Sequence, residues 1–153
     1  MSLNEVLTLL IALYGAGLAT FTFLQQAKEK RAHVKVTFTI GLLPWPGREM
    51  ETVILLTASN PGHKKVILNT PGITLPDKKQ LIFFEPNSNV RFPYSLEPEA
   101  SCVVWYNIKA FAEELTSQGF YGKVNLVAYF TDSVGRKHES KNVTFNIDNW
   151  MGK

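Results

Sequence analysis

Residues 34–40 read VKVTFTI, and the fold turns on how they are read. Val34, Val36, Phe38 and Ile40 fall on one side of an extended chain; Lys35, Thr37 and Thr39 fall on the other. That period of two marks a half-buried strand. The pattern returns where Val124, Leu126, Ala128 and Phe130 alternate with Asn125, Val127 and Tyr129. Residues 52–59 (TVILLTAS) are apolar and rich in β-branched side chains, as suits a central strand. Turn residues punctuate these runs. GLLPWPG at 41–47 carries two prolines and two glycines. Asn60-Pro61-Gly62 and Asp132-Ser133-Val134-Gly135 are further stops.

Working outward, Val66–Leu68 and Ile73–Leu75 are either a strand pair or one interrupted strand, and Leu81–Phe84 returns after a turn at 76–79. Residues 86–101 hold three prolines and read as irregular. Cys102–Tyr106 is another strand. Asn107 is placed to cap a short helix over 108–117, with Ile108, Phe111, Ala112 and Leu115 on one face. Gly119 ends it. His138–Ile147 is the last strand, with Val143, Phe145 and Ile147 inward. About seven short strands divided by turn residues predict an antiparallel, immunoglobulin-like β-sandwich over residues 34–150. Its one short helix precedes the penultimate strand. Without βαβ alternation, a nucleotide-binding parallel sheet is not expected.

The amino-terminal segment is of another kind. Residues 6–24 read VLTLLIALYGAGLATFTFL, without a charge. A helix of that length spans roughly 28 Å, close to the ~30 Å hydrocarbon thickness of a bilayer. Residues 1–27 are therefore read as a transmembrane helix. Thr8, Thr20 and Thr22 are tolerable there because a helical hydroxyl bonds back to a carbonyl one turn earlier. A cleaved signal is not expected: the start, MSLNE, lacks a basic residue, and no small-x-small site follows. Residues 28–33 form a basic linker with Lys28, Lys30 and Arg31. Basic residues stay on the cytoplasmic side. The expected topology is a single pass through the inner (plasma) membrane, with the amino terminus outside and the sandwich in the cytoplasm. Ala12, Gly15, Ala16 and Ala19 repeat at helical spacing, which allows close helix approach and a homodimer.

This sequence of an apolar span, a basic stretch and the strand opener VKVTFTI is followed by TASNPGHKKVIL, GITLPDKKQLIFF, SLEPEASCVVWYN and GFYGKVNLVAYFTDSVGRKHESK. Together these resemble small uncharacterised bacterial membrane proteins with an immunoglobulin-like domain. The resemblance covers most of residues 28–150. It implies a membrane-tethered sandwich in a prokaryote and brings no site residues.

No catalytic, cofactor or metal site is expected. One cysteine, Cys102, excludes an internal disulfide framework and a CxxC motif. It lies in an apolar strand, where an inert buried thiol is expected. His33, His63 and His138 share no metal-ligand spacing. Glu113 and Glu114 are adjacent on a helix and do not face each other as a glycosidase pair does. Asp132, Ser133 and His138 flank a tight hairpin, and Asp132 reads as a turn residue, not a triad member. No P-loop, GxGxxG or EF-hand pattern occurs. Sixteen Lys and Arg against thirteen Asp and Glu give only +3, and the basic residues are scattered, so nucleic acid is not an expected partner.

Surface recognition remains. Leu42, Leu43 and Trp45 make the 41–47 turn unusually apolar, and Trp45 between two prolines would anchor an unidentified protein partner or fold back over the sandwich end. Strand parity puts this turn about 20 Å from the membrane. The same parity returns Lys64 and Lys65 toward the bilayer, where they join Lys28, Lys30 and Arg31 against lipid headgroups. The expected role is a membrane-tethered, non-enzymatic protein-binding module, an adaptor or scaffold. The alternative is an extracytoplasmic envelope or carbohydrate-binding module, with Trp45, Phe120 and Tyr121 stacking on sugar. Otherwise Phe120 and Tyr121 cover the helix–strand junction.

Overall fold

The computed structural model describes residues 2–29 (of 27–29, the main chain), 33–44, 46–47, 49–83 and 86–152. The chain divides into two compact units, Met1–Ala32 and His33–Lys153.

The first unit is one helix, α1 (Leu3–Glu29). Ser2 and Glu5 start it. The Ser2 amide donates to Glu5 Oε2 (2.8 Å) and the Glu5 amide to Ser2 Oγ (3.4 Å). This reciprocal box satisfies amides that have no partner within the helix. The hydroxyls of Thr8, Thr20 and Thr22 donate back to the carbonyls of Asn4, Ala16 and Leu18 at 2.7–2.8 Å, as expected. Over Leu3–Gln26 the helix is long and apolar enough to cross a membrane. Its leucines, Ile11, Phe21 and Phe23 are exposed, so none of its faces is a core face.

The second unit is mainly β, with two antiparallel sheets. Its strands are β1 (Lys35–Leu43), β2 (Glu51–Ser59), β3 (Val66–Thr74), β4 (Gln80–Ile82), β5 (Asn87–Ser88), β6 (Tyr94–Leu96) and β7 (Ser101–Asn107). After the helix α2 (Ile108–Ser117) come β8 (Lys123–Asp132), β9 (Lys137–Glu139) and β10 (Val143–Asn146). One sheet runs β1-β2-β7-β5; the other runs β10-β8-β3-β4, with β6 paired to β3 and β9 to β8. Between them lie Val36, Phe38, Ile54, Leu56, Ala58, Leu68, Ile73, Val104, Leu126 and Phe130, all buried. The alternation read from the sequence places most of this core, with two corrections: Ile40, expected inward with Val36 and Phe38, is 48% exposed, and Tyr129, expected on the opposite face, is buried. Phe111 of α2 packs edge-on against Phe145 of β10, centroids 5.4 Å apart, and closes one end.

The structure extends the sequence reading in four places. First, β1 does not stop at Ile40. Gly41, Leu42 and Leu43 continue it, paired with Val53, Thr52 and Glu51, so the expected turn is shorter and begins after Leu43. Second, the two runs at 66–75 are one interrupted strand; its register on β8 shifts between Leu68 and Pro71. Third, the irregular stretch 86–101 contributes β5 and β6. Fourth, the single last strand is broken into β9 and β10. At the break Ser140 donates its amide to the Ala128 carbonyl (2.8 Å) and accepts the Ala128 amide on Oγ (3.0 Å). A serine side chain there replaces a ladder carbonyl, and the register slips.

Gly72 shows why a glycine stands mid-strand. A Cβ built there would lie 2.4 Å from the Tyr129 hydroxyl and 2.8 Å from the Leu81 carbonyl. The phenol crosses the bare backbone, donates to Gln80 Oε1 (3.1 Å) and carries Lys137 Nζ 4.4 Å above its ring centroid.

Candidate functional site

Strand register gives the folded unit two ends. Lys35 pairs with Ser59 and Ser59 with Ser101, so the chain enters at the end that also holds the 60–65 turn. Leu43 pairs with Glu51 and Val53 with Asn107 at the opposite end. A strand of nine residues separates the two by roughly 27 Å.

The end away from chain entry carries a cleft of about 450 Å³. Met50, Glu51 and Thr52 line it from the start of β2, Asn107, Ile108 and Lys109 from the β7–α2 junction, and Trp150 from the carboxy-terminal turn. Asn107 organises the junction. Its Oδ1 accepts the Ala110 amide (2.9 Å), the cap expected from the sequence. Its Nδ2 donates to Glu51 Oε1, which ties the helix start to β2. Trp150 follows a 3₁₀ turn (Ile147–Asn149) whose first amide bonds to the Gly122 carbonyl at 2.9 Å. Leu42 stands opposite Thr52 on the same sheet face and is 62% exposed. Met50 is 68% exposed. The cleft therefore sets Met50 and Trp150 beside the charged side chains of Glu49, Glu51 and Lys109, and its volume suits an inserted side chain or small ligand.

The entry end is polar and rigidly turned. Asn60 is buried and donates from Nδ2 to the carbonyls of Lys64 (2.7 Å) and Leu96 (3.1 Å), while its Oδ1 accepts the Gly62 amide (3.0 Å). The expected strand stop is thus also the brace of the turn that carries Lys64 and Lys65, both exposed. Beside it is the β8–β9 hairpin. Buried Asp132 accepts the amides of Val134 (3.1 Å) and Arg136 (2.9 Å) on Oδ1, and its Oδ2 lies 3.1 Å from His138 Nε2. Burial pushes the Asp132 carboxyl up, but the Arg136 amide, the His138 ring and the Val134 amide outweigh it and hold the group below the ordinary aspartate value. Asp132 and His138 do meet, but Asp132 is spent on main-chain amides and Ser133 is exposed on the turn.

The remaining sequence candidates are placed as follows. Leu43 is half-buried on β1. Trp45, Lys30 and Arg31, and the side chain of Lys28, lie outside the described residues. Ala12, Gly15, Ala16 and Ala19 lie on α1, all exposed, and a Cβ built at Gly15 meets nothing within 4 Å. Phe120 is half-buried, but Tyr121 is 70% exposed and does not cover the helix–strand junction. Cys102 is buried, and burial pushes its thiol up to about 11, far from a reactive thiolate. Among the described residues no group of three or more His, Cys, Asp or Glu is placed to hold a metal. Sequence reasoning missed Met50 and Trp150 as cleft residues because the cleft joins segments about a hundred positions apart, and no local pattern marks either residue.

No known protein family matches the chain, and no curated protein does. What stands of the resemblance drawn from the strand motifs is architecture: an amino-terminal apolar helix and a sandwich-like pair of sheets.

Proposed function

We propose that the chain is a single-pass protein of a bacterial inner membrane whose cytoplasmic sandwich binds another protein without catalysing a reaction. The single observation that carries the binding reading is the cleft lined by Met50 and Trp150, with Leu42 also exposed on the adjacent strand at the end opposite chain entry. Large exposed side chains gathered beside a cleft mark an interaction site more than singly scattered ones do. The uncharged α1 and the basic residues after it support the membrane and its sidedness. Holding the module in a plane raises the effective concentration of a partner that shares the membrane. Lys28, Lys30, Arg31, Lys64 and Lys65 meet the headgroups, and Leu42, Leu43 and Trp45 meet the partner. The helix face of Ala12, Gly15, Ala16 and Ala19 is where a second copy would pack.

Paired carboxy-terminal reporters, one active only in the cytoplasm and one only outside it, test the sidedness. Activity of the first is expected. Activity of the second alone overturns the reading in favour of an extracytoplasmic module, for which Tyr121 offers an exposed ring among the described residues. Cross-linking in intact membranes tests the cleft. Leu42→Glu combined with Met50→Glu is expected to lose the partners that the unaltered chain captures; an unchanged set removes the cleft from the proposal.

A further inference from the structure

We propose that the tip of the β8–β9 hairpin is a membrane-docking element: Val134 enters the headgroup region of an anionic leaflet while Arg136, Lys64 and Lys65 bind lipid phosphates. This rests on the reading of α1 as a membrane span and goes beyond it, because it assigns a contact made by the folded unit itself.

Val134 is 70% exposed, although it is an apolar β-branched side chain in a tight turn. The turn cannot tuck it away. Besides the two amides held by Asp132 Oδ1, the Gly135 amide bonds to the Asp132 carbonyl (3.0 Å) and the Asp132 amide to the Arg136 carbonyl (2.9 Å). Gly135 takes the left-handed conformation, φ 82°, that closes the loop. The tip is thus rigid before any contact, so docking costs little ordering entropy.

Its neighbours are cationic. The Ser133 amide bonds to the Ile67 carbonyl (2.9 Å), which sets the tip beside the strand that begins just after Lys64 and Lys65. Arg136 and Lys137 follow the tip in sequence, and Lys35 starts β1 at the same end. Among the described residues none of Lys35, Lys64, Lys65 or Arg136 has a carboxylate within ion-pair distance. Among the described residues the acidic side chains at or near this end include Asp132, committed to the hairpin, Glu139 on β9, and Glu97 and Glu99 of the 97–100 loop, with Glu97 accepting from Ser95.

A protruding apolar side chain at the same end as four exposed cations without a carboxylate partner among the described residues matches an anionic bilayer surface better than an acidic protein. Each cation near such a surface gains from the leaflet potential, and the apolar tip gains from leaving water. Position in the chain favours the same partner. Only Lys30, Arg31 and Ala32 stand between α1 and His33, and the Cβ of a residue at 62 would lie 4.0 Å from the His33 amide nitrogen. The folded unit therefore begins, at His33, at the end that carries this tip.

The test uses the full chain reconstituted into phosphatidylcholine vesicles, with or without phosphatidylglycerol. Val134→Cys and, at the other end, Tyr121→Cys each carry an environment-sensitive fluorophore; the buried Cys102 stays unlabelled. With phosphatidylglycerol present, the label at 134 is expected to shift to the blue and be quenched several-fold more by headgroup-region quencher lipids than the label at 121. Lys64→Glu, Lys65→Glu and Arg136→Glu together are expected to abolish the difference. In the unaltered chain, acylation of Lys64 and Lys65 is expected to slow several-fold on anionic vesicles while Lys109 and Lys123 are unaffected. Equal responses at 134 and 121, or unprotected Lys64 and Lys65, overturn the docking element. Flotation separates the two claims: a chain that does not float with the vesicles overturns the span as well, whereas one that floats without these signals overturns the tip alone.

Discussion

Asp132 shows how much one side chain can hold together. It is buried, yet it serves two main-chain amides and an imidazole at once. Its lowered folded-state affinity for protons means that the folded chain binds fewer protons than the unfolded chain near the ordinary aspartate range. Its stabilisation is therefore complete above about pH 4 and fades as pH falls through the folded-state value. Asp132→Ala is expected to cost about 1–3 kcal/mol at neutral pH, because the hairpin amides lose their acceptor. Asp132→Asn keeps an acceptor oxygen and should cost less. Chemical denaturation of the three proteins across acid pH checks this: the curves should converge as pH drops. A gap that stays constant into strong acid would show that the carboxylate charge contributes nothing.

At the scale of elements, β1 and β8 with their alternation, β2 with its apolar β-branched run, and the capped α2 were legible in the sequence because each carries its signal in its own residues. The elements that escaped are those whose existence depends on a partner. β5 and β6 lie in a proline-bearing stretch and are strands only because β7 and β3 offer them free edges. The break between β9 and β10 depends on the Ser140 hydroxyl, which no period reveals. The candidate site was legible in part for the same reason. The turn lysines and Leu42 could be placed by strand parity, whereas the cleft needs β2, α2 and Trp150 brought together in space. Asn107 was read as a cap, but its second bond to Glu51 joins two elements and could not be read from a local pattern. Asn107→Ala is expected to destabilise the folded unit by about 1–2 kcal/mol, through the lost cap and the lost bond to Glu51. Thermal unfolding checks this. A loss no greater than that of an exposed helix substitution such as Glu113→Ala would deny Asn107 the joining role.

For the molecule as a whole, the boundary at Ala32/His33 divides two ways of burying apolar surface. The folded unit encloses its own core between two sheets. The helix has no protein core and leaves its leucines and phenylalanines exposed, as the proposed span requires. A fragment of residues 33–153 is therefore expected to be soluble and to unfold in one cooperative transition. Size-exclusion chromatography and denaturant titration check this; a fragment that precipitates or melts without cooperativity would show that α1 completes the sandwich.

The crossing of Tyr129 over Gly72 also has an evolutionary side. Any single-residue change at 72 brings a side chain into the space the phenol and the Leu81 carbonyl already fill. The two sites are therefore expected to vary together: a side chain at 72 is excluded while tyrosine lies across it, and a descendant that first shrinks residue 129 clears one of the two obstacles. Lineages of this chain should lose the pair in that order or keep it whole.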